Sequence, residues 1–387
     1  MLVHGDNLPA MKALARTFAG KIRAIYLDPP FNTQRRFAEY ADARESAAWA
    51  AFMRPRLACL PALLADDGAA FVEIDDTELA TLIALMDDAF GANNRVSTIT
   101  VVRSASTGHK AINKGPVNVA DYLLVYAKDR ARLRLSRQTR AREGYDWAYA
   151  TWLENPGDPH DAWRYAPLGR VAARALGFAS TPAASRALGA ERFRGELSRF
   201  ALSNAAHVVR FAQPRYEAIG VAMQRLVDRS KREPTTTLCL RRPSHKDFVV
   251  RGGNRVLFLR DKVSVAAGEP RLVEPLTNVW TDISFQGIAR EGGVVFSRNK
   301  KPERLLQRVL SMSSDPEDWV LDPFAGSGTT CAVAHKMGRR FIGIEEGEHL
   351  FTLAVPRLAR VVRGEDATGI TRETGFGGGG GFGVFRS

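Results

Sequence analysis

Trp319-Val320-Leu321-Asp322-Pro323-Phe324-Ala325-Gly326-Ser327-Gly328-Thr329-Thr330 is the stretch on which the reading of the fold turns. The apolar run Trp319–Leu321 predicts a short buried strand. The glycines behind it predict a strand-to-helix turn where backbone can approach a ligand closely, with the N–H groups of a helix over 328–337 aimed at that ligand. An ordinary tight connection would need the same residues, so the turn alone decides little. Two nucleotide loops are excluded: no Gly-Lys-Ser/Thr follows, and no third glycine completes Gly-x-Gly-x-x-Gly. Beyond Thr330, Gly343-Ile344-Glu345 ends the next predicted strand, Phe341–Ile344, on an acid. Doubly wound sheets grip ribose hydroxyls at such a position. Turn and acid together predict a nucleoside-type cofactor.

Working outward, helices are predicted over Pro302–Leu310 and roughly His349–Val362. The first 128 residues alternate strand and helix patterns in the same way, which predicts an α/β sheet covered on both faces. The strand Arg23–Leu27 ends in Asp28-Pro29-Pro30-Phe31. Consecutive prolines stiffen the backbone, so the Asp28 carboxylate and the Pro29 carbonyl can serve as two acceptors facing one way. Phe31 adds a flat face. An exocyclic amine on a heteroaromatic ring is a poor nucleophile, because its lone pair is delocalised. Two acceptors on its N–H bonds favour a pyramidal nitrogen that can attack an electrophilic carbon. A strand-ending turn with a buried phenylalanine explains the same four residues equally well.

After Lys128 the alternation stops. Residues 101–270 carry a net charge of +15, against −3 over the first 100 and +1 over the remainder, within a chain of 387 residues and net charge +13. A basic block between near-neutral flanks predicts a surface facing a polyanion. Gly169–Asp228 predicts mostly helix, and Leu238–Val265 predicts a hairpin around Gly252-Gly253-Asn254. The expected division is 1–128, an inserted 129–275, 276–364, and a glycine-rich end at 365–387. Hydrophobic residues at 45% and charged residues at 25% fit a folded chain and exclude wholesale disorder. Three scattered cysteines exclude a disulfide framework and a structural zinc knuckle. No apolar run reaches membrane-spanning length, so a cytoplasmic protein is expected.

Asp28-Pro29-Pro30-Phe31 and Asp322–Thr330, in that order around a long insert, resemble the beta class of DNA amino-methyltransferases. The closest likeness is to adenine-specific enzymes related to modification subunits of type III restriction systems. His4-Gly5-Asp6-Asn7, Trp49 to Leu57, Phe71 to Asp76, Asp121 to Lys128, Trp280 to Ile283 and Lys301-Pro302-Glu303 fall in the same order. The resemblance covers most of 1–128 and 276–360 and only loosely the middle.

It implies a doubly wound, mixed α/β sheet of the S-adenosylmethionine-dependent methyltransferase type, permuted, with an inserted target-recognition domain, mainly helical plus a hairpin. It also implies that Asp28, Pro29, Pro30 and Phe31 are catalytic, Asp28 and the Pro29 carbonyl holding the amine while Phe31 stacks on the base. Asp322, Pro323, Phe324, Ala325, Gly326, Ser327, Gly328 and Thr329 would bind S-adenosylmethionine. Glu345 would hold its ribose, Lys301-Pro302 would lie near its methionine carboxylate, and Asp6 beside it. Related cytosine-N4 enzymes usually open the first motif with serine, so Asp28 favours adenine N6. Methyl transfer of this kind needs no metal and no cysteine nucleophile. The partner implied is double-stranded DNA with the base flipped out. Arg130, Arg132, Arg134, Arg137, Arg140 and Arg142 are phosphate candidates, or simply a solvated loop. His207, Arg210 and Arg215, on a predicted helix, are base-contact candidates. A homodimer and a restriction partner stay open, as do cytosine-N4 or RNA methylation and a catalytically silent DNA-binding role.

Overall fold

The structure, a computed structural model, describes residues 1–33, 45–104, 116–266, 268–295 and 300–387. These fall into two compact units, one made of residues 1–138 and 276–387, the other of residues 139–275.

The first unit is built on nine strands: β1 (Leu2–His4), β2 (Ile22–Leu27), β3 (Leu64–Ile74), β4 (Arg95–Val102), β5 (Ala120–Ala127), β6 (Val279–Trp280), β7 (Trp319–Asp322), β8 (Arg340–Glu345) and β9 (Val384–Arg386). Their order across the sheet is β6-β4-β5-β3-β2-β7-β8-β1-β9. Only β5 pairs antiparallel with its neighbours, β3 and β4; every other pairing is parallel. The sheet is therefore mixed, and β5 alone runs against the rest.

Direction decides where chemistry can gather. The carboxyl ends of β1, β2, β3, β7 and β8 share one edge, the edge at which open α/β sheets hold ligands. Because β5 is reversed, its first residues lie at that same edge, with Asp121 opposite Val101 and Tyr122 opposite Ile74. The two motif strands are direct neighbours, Val320 pairing with Ala24 and Leu321 with Ile25. The glycine-rich end leads into β9, which pairs with β1 through Leu2 and Val384.

Buried strands with helices on both sides read as continuous apolar runs, and β2 is one: Ile22, Ile25 and Leu27 enter one core while Ala24 and Tyr26 enter the other. Helices Asn7–Phe18, Ser46–Ala58 and Leu79–Phe90 close the first face through Met11, Trp49, Met53, Leu82 and Met86. Helices Glu303–Ser313, Thr329–Lys336 and Val355–Val362 close the second through Leu306, Leu310, Val333 and Leu358.

In the second unit the helices expected over 169–228 form, and the strands exceed the single hairpin expected. Four helices of eight or more residues are joined there by a six-stranded and a three-stranded antiparallel sheet. The hairpin forms where the glycines place it, Phe248–Arg251 against Asn254–Phe258, with Gly252 and Gly253 both at positive φ. The predicted helix around His207 is corrected: Val208–Ala212 is a strand inside the larger sheet. Arg210 lies in that strand, His207 immediately precedes it, and Arg215 caps a short turn. Adjacent β-branched residues, Val208-Val209, outweigh the alanine- and arginine-rich surroundings that suggested helix. Among the described residues no helix is long and apolar enough to cross a membrane.

Candidate active site

The groups at the sheet edge are held mostly by partners distant in the chain. Asp6 ends the β1 turn and caps Asn7–Phe18, its Oδ1 accepting from the Leu8 N–H at 2.7 Å. Arg56, reaching from Ser46–Ala58, donates to both Asp6 oxygens at 3.0 Å and to Asn7 Oδ1 at 2.6 Å. Asn7 in turn donates to the Pro323 carbonyl at 2.8 Å, tying the first strand to the glycine turn. The Phe52 ring lies 3.7 Å under the Arg56 guanidinium.

The turn itself wraps onto Glu345. Gly326 N–H donates to one carboxylate oxygen and Gly347 N–H to the other, both at 2.9 Å, and His349 Nε2 stands 3.1 Å away. Burial alone would raise the Glu345 pKa, yet His349 and those two N–H groups hold it below the usual carboxylate range. Asp322, almost wholly buried, is pushed up to about 7 by desolvation, with Thr330 and the Phe324 N–H opposing. Gly328, at φ +75°, starts the helix, and a Cβ there would meet the Ala354 Cβ at 3.1 Å.

The other motif leaves β2 as Asp28-Pro29-Pro30-Phe31. Trp49 Nε1 donates to the Pro30 carbonyl at 2.7 Å. Asn32 follows at φ 61°, a left-handed conformation that asparagine tolerates better than most residues, and donates to Glu78 at 2.7 Å. Asp28 faces Lys301 Nζ at 3.2 Å. The same ammonium meets Glu73 at 2.7 Å and Asp121 at 3.8 Å, and lies 4.7 Å from the Phe31 ring centre. Glu73 and Asp121 are fully buried.

One cavity of about 290 Å³ joins the two motifs. Asp28, Pro30 and Lys301 line it together with the turn from Asp322 to Ser327, Thr329 and Glu345. Asp6, Pro29, Phe31, Pro302 and Gly328 are outside its lining: Asp6 acts on Arg56, and Pro302 and Gly328 precede helices. Sequence reasoning did not single out Tyr26 or His349, which also line the cavity, and named Asn7 only inside the quoted His4–Asn7 motif. Arg56 lines it too and stood only inside a quoted motif. Their roles come from contacts between residues far apart in the chain, such as Asn7 with Pro323, which no local pattern specifies.

The arginines between 130 and 142 are mostly paired within their own units. Arg132 bonds Asp66, Arg134 approaches Asp67 at 3.6 Å, Arg140 meets Glu274 at 2.8 Å and Arg142 meets Asp146 at 3.5 Å. Arg130 donates to the Arg95 carbonyl at 2.7 Å. Arg137 is exposed. Arg210 faces Asp146 at 3.6 Å, and His207 stacks on Trp152 at 4.6 Å.

A mixed α/β sheet thus brings a glycine turn and, from the Asp-Pro-Pro-Phe corner, Asp28 and Pro30 onto one cavity of small-molecule size. A family model described as DNA methylase matches residues 22–356, and the chain belongs to that family. The chain is 30% identical over 403 residues to the Haemophilus influenzae protein named "Probable type III restriction-modification enzyme HindVI Mod subunit", covering 99% of this chain and 53% of that one. It is 26% identical over 376 residues to the StyLTI Mod subunit of Salmonella typhimurium, covering 85% and 49%. The chain thus spans about half the length of these curated relatives. The solved PvuII DNA methyltransferase (cytosine-N4-specific) aligns at TM-score 0.44 and 12% identity, over 92% of this chain and 85% of that one.

Proposed function

We propose that the protein transfers a methyl group from S-adenosylmethionine to the N6 amine of adenine in double-stranded DNA. The observation that carries this reading is the meeting of Asp28 and the Asp322–Ser327 turn on one cavity. The residues present fit the cofactor. The cavity volume is at the lower end for small-ligand pockets. Gly326, at φ 51°, leaves the backbone of the turn open to close approach. Glu345 Oε2 keeps a second lone pair for a ribose hydroxyl after accepting the Gly326 N–H, while Oε1 is engaged by Gly347 and His349. Acidic side chains, Asp28, Asp322, Glu345 and Glu346, form much of the wall and offer oxygens to a cationic sulfonium.

When bound, the cofactor supplies an electrophilic methyl group on a positively charged sulfur. The work left to the chain is to hold and sharpen the amine. Asp28 accepts one amine N–H and the Pro29 carbonyl the other, so that the nitrogen lone pair is freed from the ring. Phe31 offers the base a stacking face. Flipping the base out of the duplex costs a few kcal/mol, and the basic stretch 139–275 is the part we assign to phosphate contact and target reading. Asp28 favours adenine, since related cytosine-N4 enzymes usually carry serine there. Kinship with subunits named Mod extends the proposal to a restriction partner and to a second copy of the chain as working assemblies.

The test is methyl transfer from labelled S-adenosylmethionine to genomic DNA, with the labelled nucleoside identified after digestion. Label on N6-methyladenine, lost in Asp28→Ala while calorimetric cofactor binding survives, is the expected result. Full activity in Asp28→Ala would overturn the reading, and label on cytosine or RNA would redirect it.

A further inference from the structure

Asp28 does not stand alone behind the cavity. We propose that Lys301, Glu73 and Asp121 are positioning residues that act through Asp28: the ammonium fixes the carboxylate in place, and the two buried acids offset its charge so that Asp28 accepts the proton the amine sheds. This inference rests on the methyltransferase reading, adds Glu73 and Asp121 to it, and gives Lys301 a role on Asp28 in place of the cofactor contact that the resemblance implies.

The geometry carries it. Lys301 comes from the segment ahead of helix Glu303–Ser313 and reaches three carboxylates on three strands: Asp28 beyond β2, Glu73 on β3 and Asp121 on β5. Tyr26 on β2 donates to the second Glu73 oxygen. Arg103, just past β4, meets Asp121 at 2.9 Å. Among the described residues neither Asp121 oxygen accepts a hydrogen bond. Asp322, Glu345 and Glu346 are the other acids of the cavity wall, and Asp75 is near enough to Asp121 to raise its pKa.

An isolated Lys–Asp pair would hold its carboxylate fully ionised and weakly basic. Three acids competing for one ammonium do the reverse. Burial, assisted by Glu73 and Asp121 and resisted by Lys301, pushes Asp28 up to about 8, and burial likewise lifts Asp121 to about 7. A carboxylate poised near working pH is the better proton acceptor. It is also the stronger hydrogen-bond partner for the amine N–H, so more electron density stays on nitrogen. In the step itself the nitrogen lone pair forms a bond to the methyl carbon, and the carbon–sulfur pair remains on sulfur, which loses its positive charge. The nitrogen then returns to neutrality by giving one proton to Asp28, which releases it to solvent when the base leaves.

The experiment is a carboxyl-carbon NMR titration of the whole ligand-free protein carrying ¹³C-aspartate, the Asp28 signal being the one absent in Asp28→Asn. Lys301→Met is expected to move the Asp28 midpoint up, and Glu73→Gln to move it down, each by about one pH unit. The double variant Lys301→Met/Glu73→Gln, which loses one charge of each sign, returns it close to the parent value. Circular dichroism melting confirms that each variant is folded, and the double variant keeps the comparison intact should either single one fail. The acid limb of the methyl-transfer rate moves in the same order. An Asp28 midpoint in the ordinary carboxylate range, or limbs that stay put while rates fall, overturns the inference. Absence of methyl transfer by the parent protein would instead sink the functional reading, and the ligand-free titration separates that failure from this one.

Discussion

Arg357 braces the glycine turn from behind. Its side chain is fully buried, donating to Thr329 Oγ1 at 2.6 Å and to Glu303 at 2.8 Å. Glu303 is bound as well by Lys336 at 2.7 Å and by the Ile370 N–H at 3.1 Å. Removing one member of a buried ion cluster leaves the others uncompensated, at a cost of about 3–5 kcal/mol. Arg357→Met should therefore lower the urea midpoint, with a loss of unfolding free energy in that range. Calorimetry should show weaker cofactor binding as well, because Thr329 belongs to the cavity wall. An unchanged midpoint would show that Glu303 is satisfied by Lys336 and Ile370 alone. None of this is legible in Glu303 or Arg357 as letters: each reads as a helix-surface charge, and only packing turns it inward.

At the level of elements, the two glycines of the turn make different demands. Gly326, at φ +51°, has no atom nearer than 3.9 Å to the place a Cβ would take, so alanine there meets backbone strain alone. Gly328, at φ +75°, has Ala354 at 3.1 Å, so alanine meets strain and a neighbour on the adjoining helical segment. Gly326→Ala should cost about 1 kcal/mol of stability, and Gly328→Ala more, about 2–3 kcal/mol, in chemical denaturation. Equal losses would mean that the segment at Ala354 yields freely. The turn and the acid after it could be read locally, because glycine at a strand end and an acid at the next strand end are nearest-neighbour signals. The reversal of β5 could not, since a buried strand has the same composition in either direction. That reversal is what delivers Asp121 to the site, so Asp121 stayed hidden while Asp28 did not. The arginines of 130–142 are the converse case: their number was legible, and the pairing of four of them with Asp66, Asp67, Glu274 and Asp146 was not.

For the molecule as a whole, several buried acids make stability depend on pH in an unusual sense. Asp28 at about 8, with Asp121 and Asp322 at about 7, keep protons in the folded protein that the unfolded chain gives up from about pH 4. The folded state therefore binds more protons across that window. The stability these groups add is fully present below about pH 4 and is lost as pH rises through 7 and 8. Urea midpoints should fall between pH 6 and 8.5, and Asp28→Asn should flatten part of the decline; a rising midpoint would contradict the raised carboxylates. The pairing of β2 with β7 has one more consequence. The Asp-Pro-Pro-Phe corner and the glycine turn are encoded almost three hundred codons apart and become neighbours only by lying edge to edge. Two separately expressed pieces, each carrying one of them, would be inert apart and regain competence on reassociation, so the protein could be divided into a conditional pair switched on by whatever brings its halves together.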